Sequence, residues 1–543
     1  MDLSFLLAGA GASMTSFFAP TFLFLFLPAS LILYAAVPKK AKKYVLLGES
    51  YLFFWFISGA LLLYLVLSTA AIYGFGIWLE KIQERMKTAL KALPKEERKA
   101  AKPAYIHEQR CVVTLAVILH IGLLLVIKYS GFLIENVNGI LSFLNSPILL
   151  GTPRYLMPIG ISFFSLQAVS YVVDVYHGLI KADRNFFRLA LFMSFFPQIV
   201  EGPIVRYSQT AEALWNVQPI RYQNLTMGLQ RVVYGMMKKV VVADRLNPLV
   251  QAVFDQTHQY DGGIIALGAI AYTVQLYMDF SGAMDAVVGV AQIFGITMPE
   301  NFRRPFFSKT ISEFWMRWHI SLGSWFKDYI FYPITASKRM KNLTSSARKK
   351  IGNHFGPLIA GSMALFCVWF CNGLWHGAAW SFIFFGMYHF VLILLGNMIG
   401  PAVKKVNGKL HLRAESRGYR YMQIVRTAIL VVIGELFFRA VSVQSGFNLC
   451  GRMFTTFSFT GLSFDTMSKL GIDVQDLIIV GITLVFVFIV SLLNEKGISV
   501  REKIAAWPIV WRWVLLYALI LYIVIFGAYG FGYIPVDPMY AQF

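Results

Sequence analysis

Apolar runs close to the 20-residue length that crosses a bilayer recur from one end of this chain to the other. That recurrence decides which solvent the fold is built for. "APTFLFLFLPASLILYAAV" (19–37), "IIALGAIAYTVQLYM" (264–278), "DLIIVGITLVFVFIVSLL" (476–493) and "RWVLLYALILYIVIFGAYGFG" (512–532) are clear instances. Backbone in hydrocarbon must satisfy its own hydrogen bonds, so such runs read as helices. The expectation is an all-α polytopic membrane protein. Of 543 residues, 57% are hydrophobic, against about 45–50% in soluble domains. The start lacks a basic region and further spans follow it, so it reads as a span rather than a cleavable signal.

A net charge of +21 raises the question of nucleic acid. The positions answer it. Lys and Arg gather in short loops such as "PKKAKK" (38–43), 81–102, "SKRMKNLTSSARKK" (337–350), 404–420 and 494–503. The positive-inside rule places such loops in the cytoplasm, with no nucleic-acid partner implied. Counted from these loops, there are roughly eleven spans and both termini are extracytoplasmic. The stretch 44–80 crosses twice or dips and returns. The stretch 185–310 is broken by "FFPQIVEGP" (195–203) and "DFSGAMD" (279–285), and reads as lining, because irregular backbone and acids at membrane depth need protein or a water-filled cavity beside them. Cys367, Cys371 and His376 lack a fourth ligand at metal spacing, so the cysteines read as small packing residues and no metal is expected.

Three constellations are candidates for chemistry. In "CNGLWHGAAWSF" (371–382) the titratable His376 lies at a turn between an outgoing and a returning apolar run. It is either a core imidazole bonded to a neighbour or a proton-exchanging group. In "SKTISEFWMRWHISLGSWFKDYIFYPI" (308–334) Ile311, Phe314, Trp318, Leu322, Trp325 and Tyr329 share one stripe, with Glu313, Arg317, Ser321 and Asp328 opposite. This predicts one amphipathic interfacial helix, with His319 on the flank of the stripe near Trp315. In "LYMDFSGAMDAVVG" Asp279 and Asp285 need partners, with Arg303, Arg304 or Ser281 the candidates. They form either a buried ion pair or a pocket wall. Glu435 and Arg439 are spaced as an i,i+4 salt bridge.

"FMSFFPQIVEGPIVR" (192–206), "MMKKVVVADRLN" (236–247), "DFSGAMDAVVGVAQIFGITMPENFRRPF" (279–306), "SEFWMRWHISLGSWFKDYIFYPI" (312–334), "GLWHGAAWSFIFFGMYH" (373–389) and "ELFFRAV" (435–441) follow in that order. Together they resemble the membrane-bound O-acyltransferase family, and within it the bacterial branch that acetylates alginate and other exopolysaccharides. The resemblance covers roughly 15–543, down to the ending "YAQF". It implies one integral-membrane domain over 1–543, with a catalytic core over roughly 150–400 and C-terminal helices over 420–543. It implies re-entrant and amphipathic helices around a central funnel or tunnel in the cell membrane. By position His376 is then the main catalytic residue and His319 the second, facing the same tunnel. It also implies acetyl-coenzyme A as thioester donor and co-substrate, no further cofactor, an extracytoplasmic serine-esterase-like partner and a polysaccharide acceptor. "SGAMD" and "IVEGP" depart from the branch's usual "SGYSD" and "xxAGP", which bears on acceptor and partner more than on chemistry.

Acyl transfer to a hydroxyl needs a base and a stabilised oxyanion. His376 suits the base, or carries the acyl group as an acyl-imidazole, while His319 positions the thioester. Asn372, beside the motif, is a candidate donor to the oxyanion. With it, Trp375, Asp279, Trp315 and Trp318 are the candidate substrate contacts. Two other readings stand beside this one: a D-alanyl transferase of the teichoic-acid pathway, and a proton-coupled transporter or flippase using His376 and Asp279.

Overall fold

The computed structural model describes residues 16–153, 155–255, 260–459 and 461–529. The "YAQF" ending and the last residues of 512–532 lie outside them. The regular structure of the described residues is helical. Eight segments are long and apolar enough to cross a membrane: Lys39–Ala92, Lys95–Phe143, Gly262–Ile293, Lys338–His376, Trp380–Lys409, Arg417–Arg439, Val474–Glu495 and Ile509–Phe526. Two shorter apolar helices, Thr21–Ala36 and Ile161–Tyr176, join them. The first long segment breaks at Gly59, whose φ is +55°, so 44–80 is a helix, a tight turn and a second helix. With that break counted, each expected span finds a helix.

The described residues form two compact units. The first draws on the described residues among 16–229 and 287–299. It holds α1 (Leu27–Ala36), α2 (Lys39–Ser58), α3 (Leu62–Ala92), α4 (Lys95–Val117), α5 (Leu123–Phe143), α6 (Ile161–Tyr176), α7 (Phe186–Ser194) and α8 (Tyr207–Trp215). The irregular segment 195–205 is buried here against protein. The Phe196 N–H donates to Ser50 Oγ and the Gln198 side chain donates to the Phe192 carbonyl, so backbone that no helix satisfies finds partners. Gly160 precedes α6 at φ +78°, and a Cβ there would lie 2.0 Å from the Ile199 carbonyl oxygen. With Gly160 in the left-handed region as its N-cap, α6 starts at Ile161 rather than near 153.

The second unit draws on the described residues among 230–286 and 300–529. After α9 (Tyr222–Met236) come a wide π turn over Met237–Ala243, α10 (Asp244–Asp255) and α11 (Gly262–Ile293). Then follow the short α12 (Ile311–Arg317), α13 (Ile320–Phe326) and α14 (Tyr332–Ala336), and the long α15 (Lys338–His376) and α16 (Trp380–Lys409). The chain continues through α17 (Arg417–Arg439), α18 (Val443–Thr455), α19 (Phe464–Lys469), α20 (Val474–Glu495), α21 (Val500–Ala505) and α22 (Ile509–Phe526).

Two expectations are corrected. "DFSGAMD" does not break its segment, since α11 runs through it because its acids are paired. The stretch 308–334 is not one amphipathic helix. It breaks between α12 and α13, where His319 takes φ +47°, and Ser321, expected on the polar face, is buried.

The α15–α16 hairpin sets the position of the "WHG" motif. Gly373 and Gly386 let the two backbones touch, and a Cβ on Gly386 would lie 2.3 Å from the Trp369 carbonyl oxygen. Close approach at small residues is a common basis of helix association in membranes. Gly386→Ala is therefore expected to lower the melting temperature of the purified protein, at an overpacking cost of about 1–3 kcal/mol. Gly396→Ala, with nothing within 4 Å of the added atom, is expected not to lower it.

Candidate active site

His376 is the last residue of α15, and it is buried, with its ring against Phe438 at 5.0 Å and Phe385 at 6.0 Å. Asn372 lies one turn earlier on the same helix face. It is buried too, and its Oδ1 has no hydrogen-bond partner among the described residues. Trp375 is buried beside it. Gly377, in extended backbone, passes so close to Phe382 that a Cβ would lie 2.3 Å from its ring. The chain thus turns sharply after His376 and holds it at the interior end of the hairpin.

His319 arrives from a different element. Backbone in the left-handed region is unusual for a residue other than glycine, and Asn301 holds it there. The Asn301 carbonyl accepts from the Ile320 N–H at 3.0 Å. Its Oδ1 accepts from the Ser321 N–H at 3.0 Å and from the Ser321 hydroxyl at 2.9 Å. A backbone N–H is always a donor, so the amide orientation is set and an oxygen faces His319 Nδ1 at 3.3 Å. The proton therefore sits on Nδ1, leaving Nε2 as the basic nitrogen. Phe280 lies edge-on to the ring at 4.9 Å. Burial, and then the charged form of His376, hold His319 well below the ordinary histidine range. It is neutral at pH 7, and the two imidazoles are near enough for the charge on one to act on the other.

The tryptophans divide. Trp318 is buried among Phe314, Phe302 and Tyr277. Trp315 is half-buried against Trp369 and His389, each at 4.9 Å. Asp279 pairs with Lys239 at 2.9 Å, and Lys239 also holds Asp244 at 3.0 Å. Asp285 pairs with Lys238 at 2.5 Å and Arg231 at 2.9 Å, and Ser281 accepts from Lys238. The expected partners Arg303 and Arg304 are not the ones used; Arg304 binds Glu495 instead. In a regular α-helix consecutive side chains diverge by about 100°. The wider turn over Met237–Ala243 brings both Lys238 and Lys239 inside, one to each aspartate.

Glu435 and Arg439 do not pair. Arg439, at the end of α17, reaches Asp255 at 3.2 Å. Glu435 turns to the buried face that carries Thr427 and Val431, and its Oε2 has no hydrogen-bond partner among the described residues. His389 is fully buried, ringed by Trp315, Trp369 and Phe385, with neither ring nitrogen hydrogen-bonded among the described residues.

Sequence reasoning missed Asn301, the Lys238–Lys239 pair and His389. The lysines carried a usable signal: "MMKKVVVA" sets two cations in an apolar run, and the nearby apolar run 264–293 carries two acids. Asn301 and His389 carried none, because the importance of each comes from what folds against it.

The membrane-bound O-acyltransferase family model matches residues 23–348, more than half of the chain. The chain belongs to that family. This O-acyltransferase is 30% identical over 492 residues to a protein of Pseudomonas aeruginosa named probable alginate O-acetylase AlgI, covering 90% of this chain and 84% of that one. It is 29% identical to a peptidoglycan O-acetyltransferase of Helicobacter pylori, covering 64% of this chain and 65% of that one. It is 32% identical to a teichoic acid D-alanyltransferase of Bacillus subtilis, covering 52% of this chain and 68% of that one. The family match includes His319 and stops short of His376.

Removing one member of a buried ion pair strands the other, at a cost of about 3–5 kcal/mol. Lys239→Met in this acyltransferase is expected to lower its melting temperature in detergent sharply. A Lys239→Met/Asp279→Leu double variant is expected to recover part of the loss.

Proposed function

We propose that this O-acyltransferase moves an acetyl group from acetyl-coenzyme A to an extracytoplasmic polysaccharide, handing it on through a serine-esterase-like partner. It does so in the cell membrane, with its basic loops on the cytoplasmic face. The observation that carries the reading is the burial of both His319 and His376, on different elements of one compact unit. Its acetyl character rests on the alginate O-acetylase relative, which covers 90% of the chain, where the D-alanyltransferase relative covers 52%.

In this mechanism His376 takes the proton of the acceptor hydroxyl as its oxygen attacks the thioester carbonyl. The tetrahedral intermediate then expels the thiolate, which recovers a proton from the imidazolium. The Asn372 amide donates to the oxyanion as it forms. His319, its Nδ1–H held by Asn301, offers Nε2 as an acceptor and positions the thioester donor through an amide N–H of its carrier arm. Trp315, Trp318 and Trp375 wall the path, and the Asp279–Lys239 pair keeps that wall rigid. Transient acylation of His376 itself is the same chemistry with the imidazole as nucleophile.

The test is coenzyme A release from acetyl-coenzyme A by the purified protein in liposomes, with acceptor extract supplied. His376→Ala is expected to lose about a hundredfold or more of the rate, the usual scale for a general base. A folded His376→Ala protein with wild-type turnover overturns the assignment. If the wild type releases nothing from acetyl-coenzyme A but consumes a D-alanyl carrier protein, the teichoic-acid reading replaces it.

A further inference from the structure

The second unit holds a cavity of about 820 Å³, within the roughly 300–1,000 Å³ range of ligand sites, and Asn301, which bonds His319, is among its lining residues. Its two ends differ in chemistry. One wall is apolar: Phe486, Val487 and Val490 of α20 face Leu515, Leu516 and Leu519 of α22. A hydrogen bond of 2.8 Å between Thr483 and Tyr522 joins these helices. Phe486 and Leu515 remain 41% and 38% exposed, so this wall reaches the apolar outer surface of the helices.

The other end is cationic. Among the described residues, Arg231, Lys238, Arg303, Arg304, Arg501 and Arg512 line the cavity, against the carboxylates of Asp285 and Glu300. Those two carboxylates are already engaged: Arg231 holds both and Lys238 holds Asp285. Glu495, outside the lining, holds Arg304 and Arg317. Positive charge is therefore in excess. Arg512 Nε is buried with no hydrogen-bond partner among the described residues. Burial, and next the charge of Arg231, hold the Arg501 guanidinium below its ordinary value, against the opposing pull of Asp285, Glu300 and Glu502. Ser491, Asn494 and Ser499 add polar groups at the same end.

We propose that this cavity binds an anionic glycerophospholipid, with its phosphate held by Arg501 and Arg512 and one acyl chain lying along the α20 and α22 wall. Basic pockets between transmembrane helices suit such headgroups, and guanidinium matches phosphate in geometry as well as charge. A soluble phosphate would leave the apolar wall unused, and a neutral lipid would bring no counter-charge to an end where cations outnumber carboxylates. Phe302 and Asn301 line the cavity where it comes nearest His319.

The full chain is purified in detergent, offered phosphatidylglycerol or phosphatidylcholine, and bound lipid is counted by native mass spectrometry. One phosphatidylglycerol is expected to survive delipidation, with phosphatidylcholine retained far less. An Arg501→Ala/Arg512→Ala variant is expected to lose affinity by roughly tenfold or more, on the scale of two charge-assisted bonds. Val490→Trp, which keeps every cation and fills the chain's space, is expected to lose the lipid as well. Size-exclusion profiles and melting temperatures identify any variant that fails to fold. Equal retention of both lipids, or unchanged retention in folded variants, overturns the proposal. One-for-one displacement of phosphatidylglycerol by coenzyme A also overturns it, giving the phosphate subsite to the thioester donor. The binding readout involves no acyl transfer, so it stands or falls apart from the proposed reaction.

Discussion

The candidate site depends on one buried amide. Asn301 accepts from the Ile320 N–H through its carbonyl, and from the Ser321 N–H and hydroxyl through its side chain. Without those bonds the break between α12 and α13 would leave buried donors unsatisfied, each at a desolvation cost of about 1–3 kcal/mol. With them, His319 can hold a left-handed conformation that a non-glycine residue seldom takes. Strain of this kind persists where surrounding structure over-determines it, and it clusters at functional sites. The same Oδ1 that holds the backbone also faces the ring nitrogen, so one residue sets the fold of the break and the tautomer of the imidazole.

A second set of buried interactions keeps α11 continuous beside that break. Arg231 and Lys238 meet Asp285 and Glu300 in one cluster of short pairs, and Lys239 meets Asp244 and Asp279 in a second. Buried ion pairs contribute little to net stability compared with apolar residues of the same volume. What this set supplies is geometry: it ties the π turn after α9 to α11, whose Phe280 lies against His319. Together with the glycine-mediated contact of α15 and α16, it explains how His376 and His319, 57 positions apart in the sequence, come to share one interior.

Much of the architecture was legible beforehand. Apolar length located the spans, and the turn at Gly59 fits the reading of 44–80 as a segment that crosses twice or dips and returns. A lone imidazole in an apolar run reads readily as a core residue, so "WHG" and "RWHISL" stood out through the motifs around them, and both histidines are buried. The errors share a cause. The stripe from Ile311 to Tyr329 has faultless helical spacing, yet periodicity cannot register an amide from residue 301 that stabilises a break within it. Glu435 and Arg439 have salt-bridge spacing, yet Arg439 at the helix end finds Asp255 instead. Asp279 and Asp285 visibly needed cations, but the choice among the cations in the chain was made by packing.

The sequence alone determined that the chain is helical, lives in a membrane, spans it many times and carries two isolated histidines among acyltransferase-like motifs. Those properties follow from local quantities: hydrophobic run length, helical period and the cost of a polar group in hydrocarbon. Tertiary structure decided the partner of each buried charge, the broken course of 308–334, the tautomer of His319 and the cationic cavity beside α20 and α22. Each of those depends on atoms far apart in sequence meeting within hydrogen-bond distance, where desolvation makes a pairing either necessary or impossible.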